Sequence, residues 1–157
     1  MKQLQLTDTE AQYFIEILKL VLKKYQIDLK PGNQGSLLLK SHDNRNQFVL
    51  DYFTAKLRND KMSLHLREKE TNISLARVNI DPTGFHKNAD KETIKGHRIL
   101  IFSSEEFLAK NDGTTYVKAH PLPDSFSDTN DLEQVFLDFL GYTNVKQEGK
   151  IELAGLI

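Results

Sequence analysis

The sequence predicts an α+β fold, and three observations carry the prediction. An amphipathic segment follows a capping box near residue 8, apolar and polar residues alternate through the middle, and a second amphipathic segment follows residue 130. At 157 residues the chain has the size of one domain around one hydrophobic core. The expected architecture is a single domain over 1–157. It has a five- or six-stranded, mainly antiparallel meander sheet, with an N-terminal and a C-terminal helix packed on one face.

Each element has its own local signal. Thr7-Asp8-Thr9-Glu10 places a hydroxyl to take an orphan helix N–H and a carboxylate to reach back. Ala11, Phe14, Ile15, Leu18, Leu22 and Tyr25 follow at helical spacing, and Ile17, Leu20 and Val21 widen the stripe. A helix over about 8–25 is expected, ended by Pro31-Gly32. The period then changes to two. Leu37-Leu38-Leu39 form a short apolar run, His42 to Asn46 a polar turn, and Phe48 to Leu57 a stretch rich in β-formers. Met62, Leu64 and Leu66 alternate with Ser63, His65 and Arg67, and after Leu75 the residues Ala76, Val78 and Ile80 alternate with Arg77, Asn79 and Asp81. Short turns between these strands indicate hairpins, not βαβ units.

Residues 81–96 have no useful period and read as a long loop, the kind of segment that carries function or mobility. His97 to Phe102 returns as a strand, Asn111-Asp112-Gly113 is a turn, and Thr114 to Lys118 is a last short strand. Asn130-Asp131-Leu132-Glu133 opens the C-terminal helix, about 130–140. There Leu132, Val135, Phe136, Phe139 and Leu140 form one face before Gly141. Ile151 to Ile157 is too apolar for a solvated tail and is expected to dock.

Composition excludes several classes. There is no cysteine, hence no disulfide, no thiolate nucleophile and no cysteine-held zinc or iron–sulfur site. No apolar run spans a bilayer, and Met1 to Leu6 carries no signal stretch, so a cytoplasmic protein with no membrane partner is expected. The glycines form no phosphate-cradling motif, and neither HExxH nor GxSxG occurs. The formal net charge is −1, but residues 1–102 carry +5 and residues 103–157 carry −6. So neutral a total argues against a dedicated nucleic-acid binder. Lys56, Arg58, Lys61, Arg67 and Lys69, with only solitary aromatics nearby, read as a solvated sheet face rather than a nucleic-acid platform. The acidic third suits a basic partner surface, with Glu105, Glu106, Asp112, Asp124, Asp128 and Asp131 as the candidate contacts.

The remaining chemistry gathers around the long loop. Alternation points His65, Arg67, Arg77, Asn79 and Asp81 away from the core, while His86 and His97 bracket the loop. The runs Leu75-Ala76-Arg77-Val78-Asn79-Ile80-Asp81, His86-Lys87-Asn88-Ala89-Asp90 and Gly96-His97-Arg98-Ile99-Leu100-Ile101 resemble an uncharacterised family of small bacterial, phage and mobile-element proteins. That family carries an Arg/Asp strand, a His-x-Asn-Pro-Asp-Gly loop and a strand opening His-x-His. A Pro-Leu-Pro segment and a helix beginning Asp-Leu follow, as Pro121-Leu122-Pro123, Phe126 and Asp131-Leu132 do here. The resemblance covers residues 73–145. Ala89 stands where the pattern has Pro, Lys91 where it has Gly, and Ile99 where it has the second histidine of the last strand.

Three arrangements of these residues compete. In one, His86, His97 and His120 converge with Asp81 or Asp90 on a zinc ion, for which imidazole and carboxylate are suitable ligands. In another, Arg77, His86 and His97 form a metal-free acid–base site acting on a phosphodiester. In the third, the polar residues only hydrogen-bond the loop to the sheet. The resemblance implies a phage or mobile-element setting. In that setting the expected function is non-catalytic: an anti-CRISPR-like inhibitor of a host defence nuclease, acting by protein–protein binding without direct nucleic-acid contact. The alternative is a His/Arg-based ribonuclease toxin, or the antitoxin paired with one.

Overall fold

The computed structural model describes residues 5–154, so the opening tetrapeptide and the last three residues of the expected docking segment lie outside the described residues. The first helix, α1, runs Asp8–Glu16. Its capping box is complete: Thr7 Oγ1 accepts the Glu10 N–H at 3.1 Å, and Glu10 Oε1 accepts the Thr7 N–H at 3.0 Å.

The helix stops nine residues earlier than the 8–25 span predicts. At Ile17 the backbone turns extended, and burial alternates from Ile17 to Val21, giving strand β1 (Lys19–Val21); β2 (Tyr25–Asp28) follows. Apolar residues so dense satisfy periods of 3.6 and 2 equally, and the sheet edge decides the outcome. The decisive residue is Lys19, which is fully buried. Its Nζ donates to the carbonyls of Ile15 at 2.8 Å, Ile17 at 3.0 Å and Thr143 at 2.7 Å, and lies 5.1 Å from the Phe48 ring centroid. The three donors of the ammonium thus meet carbonyls that helix ends leave unpaired. Burial pulls its pKa down to about 7.

The meander follows as β3 (Gln34–Ser41), β4 (Gln47–Thr54), β5 (Met62–Glu68) and β6 (Ser74–Ile80). Between β6 and β9 (Arg98–Phe102) the supposed loop folds into a small hairpin, β7 (Phe85–Lys87) and β8 (Thr93–Lys95). A short helix that the sequence reading omitted, α2 (Ser104–Lys110), leads to β10 (Val117–Pro121), which starts three residues later than expected. Helix α3 (Leu132–Tyr142) then precedes β11 (Val145–Lys146) and β12 (Ile151–Ala154).

The main sheet has eight strands in the order β10-β9-β6-β5-β4-β3-β1-β11, against the five or six expected. Its pairs are antiparallel except β1–β11, and β12 pairs in parallel with β2 as a separate ribbon, so the described part of the expected docking segment, Ile151–Ala154, does dock. Neither edge pairing is legible as local alternation, because β1, β11 and β12 have two to four residues each.

Register assigns the two faces. The row Leu37, Leu50, Leu66, Ala76, Ile101 and the row Tyr52, Leu64, Val78, Ile99 point to the core. Ala11 and Ile15 of α1, with Val135, Phe136, Phe139 and Leu140 of α3, are buried in that same cluster. The opposite face displays the rows Ser36, Asp51, His65, Arg77, Leu100, Ala119 and Gln34, Phe53, Ser63, Asn79, Arg98, Pro121.

Candidate functional site

One end of this outer face is covered. The β7–β8 hairpin lays Ile94 against Leu100 and Ala119 in a small second core. Asn88 holds it there: its Nδ2 donates to the Ala119 carbonyl and its Oδ1 accepts the Ala119 N–H, both at 2.9 Å, so the amide acts as one more strand residue. Glu106 Oε2 accepts the Ala89 N–H at 2.9 Å, Lys110 Nζ donates to the Lys87 carbonyl at 3.0 Å, and Asp90 pairs with Lys118 at 3.2 Å.

These contacts account for most of the residues read as metal ligands. His97 Nδ1 accepts the Asp81 backbone N–H at 2.9 Å, which places the proton of a neutral ring on Nε2. Asp81 is buried, with its carboxylate 3.7 Å from Lys61 Nζ and 3.9 Å from Arg58 Nη1. His120 is exposed on β10 opposite Ile99. His86 is half-buried, and its Nε2 has no partner. Burial, reinforced by Lys110 and Arg98 and opposed by Glu106, lowers its pKa. Asp81 and His97 thus meet through backbone, while His86, His120 and Asp90 stand apart from them. Among the described residues no three such side chains gather as a metal site would require.

The acidic candidates also divide. Glu106 is buried and cannot face a partner. Asp112 accepts from the N–H groups of Thr114 and Thr115, Asp128 from that of Asn130, and Asp131 is the N-cap of α3, accepting from Gln134. Glu105 and Asp124 are exposed.

The other end of the outer face is open. A cleft of about 400 Å³ lies over β4, β5, β6 and the start of β9, lined by Phe53, Lys61, Ser63, Arg77, Asn79, Asp81 and Arg98. Arg98 is only 7% exposed. Its Nη1 donates to the Gly96 carbonyl at 2.8 Å, its Nε has no partner, and no carboxylate pairs with it among the described residues. Gly84 makes room here, since a Cβ at that position would collide with the Asp81 carboxylate and come within 3.2 Å of Arg98 Nη1. Arg77 projects from the middle of the face with neither hydrogen bond nor ion pair among the described residues. Lys61 has only Asp81, a charge shared with Arg58, whose guanidinium is mainly occupied by Asp60 at 2.8 and 3.1 Å. Cations therefore outnumber carboxylates around the cleft, and the most buried of them, Arg98, makes no ion pair among the described residues, although the Asp81 carboxylate lies nearby on the other side of Gly84.

Residues 6–145 match the profile of a family of unknown function, DUF6978. The chain belongs to that family. No curated protein and no solved structure matches it. The matched stretch of DUF6978 includes both ends of the outer face, and with them the motif runs of residues 75–101.

Beside the cleft, this DUF6978 chain carries a polar web that sequence reasoning missed. Ser74 Oγ lies 2.7 Å from His65 Nε2, and His65 Nδ1 lies 3.6 Å from Asp51 Oδ2. Asp51 also takes Arg67 Nε at 2.7 Å and Ser36 Oγ at 2.5 Å. Burial alone would raise the Asp51 pKa, but His65, Arg67 and Ser36 together hold the carboxyl well below its usual range. The outline is that of a Ser-His-Asp relay. Its His–Asp leg is too long for an orienting hydrogen bond, and the carboxylate is committed to Arg67. The bulge at Leu66/Arg67 brings Ser74 beside His65, and strict alternation could not have foreseen it. The role of Arg98 is hidden in the same way, because neighbours distant in sequence bury it.

Proposed function

We propose that the protein acts by binding, without turnover, and that its working surface is the cleft on the uncovered face of the sheet. The cleft takes an anionic group presented by the partner. The observation behind this reading is Arg98, a buried guanidinium with an unpartnered Nε and no ion pair among the described residues, flanked by Lys61 and by Arg77, which likewise makes no ion pair there. A buried charge is costly until it is paired, so an incoming anion gains more there than on an open surface. Planar guanidinium groups also suit phosphate and carboxylate oxygens.

This reading changes the partner chemistry expected from the acidic third. In this reading the cations of the cleft, Lys61, Arg77 and Arg98, set the partner chemistry, so the complementary surface on the partner is negative. Inhibition of a host enzyme is one outcome that such binding produces. Calorimetric titration with pyrophosphate tests the proposal. Wild-type protein binds, and the Lys61→Ala/Arg77→Ala double variant loses at least tenfold in affinity with its melting temperature kept. Equal affinity in the double variant overturns the anion cleft, and cleavage of RNA or DNA by the pure protein overturns binding without turnover.

A further inference from the structure

We infer that the anionic group is the phosphate of a nucleotide unit whose base stacks on Phe53; this rests on the anion-binding reading above. Phe53 is 48% exposed, an apolar ring on a polar sheet face beside a cationic cleft. In register it is followed on successive strands by Ser63, Asn79 and Arg98. The row thus offers, in order, a flat ring, a hydroxyl, an amide that both donates and accepts, and a guanidinium. A nucleotide presents the matching sequence of base, sugar hydroxyls and phosphate.

The dimensions agree. Neighbouring strands lie about 4.8 Å apart, so Phe53 on β4 and Arg98 on β9 start roughly 14 Å apart, and the long Arg98, Arg77 and Lys61 side chains shorten that span. A volume of about 400 Å³ has room for one nucleotide unit. Aromatic stacking beside a backbone-tracking cationic groove is how unpaired bases are held without a sequence code. The surface also continues past the cleft. Arg58 Nη1 donates to Thr83 Oγ1 at 3.2 Å, tying the β4–β5 loop to the turn before β7. These two segments expose Leu57 (94%) and Phe85 (65%), apolar neighbours for the next base of a strand.

The nucleotide unit has two sources, a free mononucleotide or a single strand, and one experiment separates them. Binding of pyrophosphate, UMP, single-stranded oligo-U, a duplex of equal length and an acidic peptide is measured for wild type, Phe53→Ala and Lys61→Ala/Arg77→Ala. The expected result is that UMP or oligo-U binds about tenfold more tightly than pyrophosphate, and that Phe53→Ala removes this margin while leaving pyrophosphate affinity unchanged. Oligo-U far above UMP identifies a strand, and parity identifies the free nucleotide. Pyrophosphate binding as tightly as UMP and oligo-U, with Phe53→Ala silent, overturns the stacking inference and leaves the anion cleft standing. Preference for the acidic peptide or the duplex also overturns it. Absence of binding by every anion overturns both readings. Phe53 is solvent-facing, so an unchanged melting temperature certifies the variant's fold.

Discussion

The outer face of the sheet is built on different terms at its two ends. Around β10 and the hairpin that covers it, several polar side chains are committed: Asn88 to Ala119, Glu106 to Ala89, Asp90 to Lys118, His97 to Asp81, with His86 Nε2 left over. Over β4 to β6 and the start of β9, Arg77 feels Asp51 only at a distance, and neither it nor the buried Arg98 makes an ion pair among the described residues. The closed end holds the histidines and Asp90 that suggested a metal site or an acid–base pair, while Arg77 and Asp81 from the same readings line the open cleft. The open end adds Phe53, Lys61 and Ser63, which belong to no motif run. Residue types that suit chemistry also serve as tethers here, as Asn88 and His97 do, and unused bonding capacity remains at His86 Nε2 and Arg98 Nε.

Variants at each end should separate these terms. The largest effect is expected from Asn88→Ala, which orphans a buried N–H and a buried carbonyl and should cost about 2–4 kcal/mol in denaturant unfolding. A loss below about 1 kcal/mol would mean that the hairpin is not held by this amide. Arg98→Met should behave in the opposite way. Removing an unpaired buried charge leaves stability within about 1 kcal/mol of wild type or above it, while anion binding is lost. A severe loss of stability would instead show that Arg98 is structural.

Acid should loosen the closed end first. The His86 pKa lies below its ordinary 6.5 in the folded protein, so between those two values only the unfolded chain binds the proton. Stability contributed by the neutral ring is complete above that window and falls as pH drops through it. Amide exchange in β7 and β8, corrected for intrinsic rate, should therefore be faster at about pH 5 than at pH 7.5, and His86→Gln should abolish the difference. The smallest stability effect is expected from Lys61→Ala and Arg77→Ala, within about 0.5 kcal/mol. A larger loss would give the open end a structural duty and blur the contrast.

Much of the fold was legible because one sheet face is buried. Leu64, Leu66, Val78 and Ile80 alternate faithfully, and the Leu132–Leu140 stripe marks α3 within two residues at each end. Helix α1 was overextended because Ile17 to Val21 suits either period, and only the Lys19 contact with Thr143 shows which one prevails. Helix α2 did leave a signal: Ser103-x-x-Glu106 has the capping spacing, and Ser103 Oγ accepts the Glu106 N–H at 3.1 Å. The cleft was only half visible. Alternation sent Arg77 and Asn79 outward, but placing Phe53, Lys61 and Arg98 beside them requires register across four strands. Among the acidic candidates only the burial of Glu106 escaped the sequence, while Asp112, Asp128 and Asp131 are exposed carboxylates that also serve nearby N–H groups, as carboxylates at turns and caps do.

The pairing of β1 with β11, and of β2 with β12, has a consequence for how the molecule is made. Lys19 meets the carbonyl of Thr143, 124 residues further along, and Lys150 Nζ donates to Val21 at a separation of 129. During synthesis the meander and α1 emerge from the ribosome well before these partners exist, so the early edge strands wait unpaired. Such distant closures slow folding, and they expose a nascent edge to aggregation or to chaperones until translation has passed its complement.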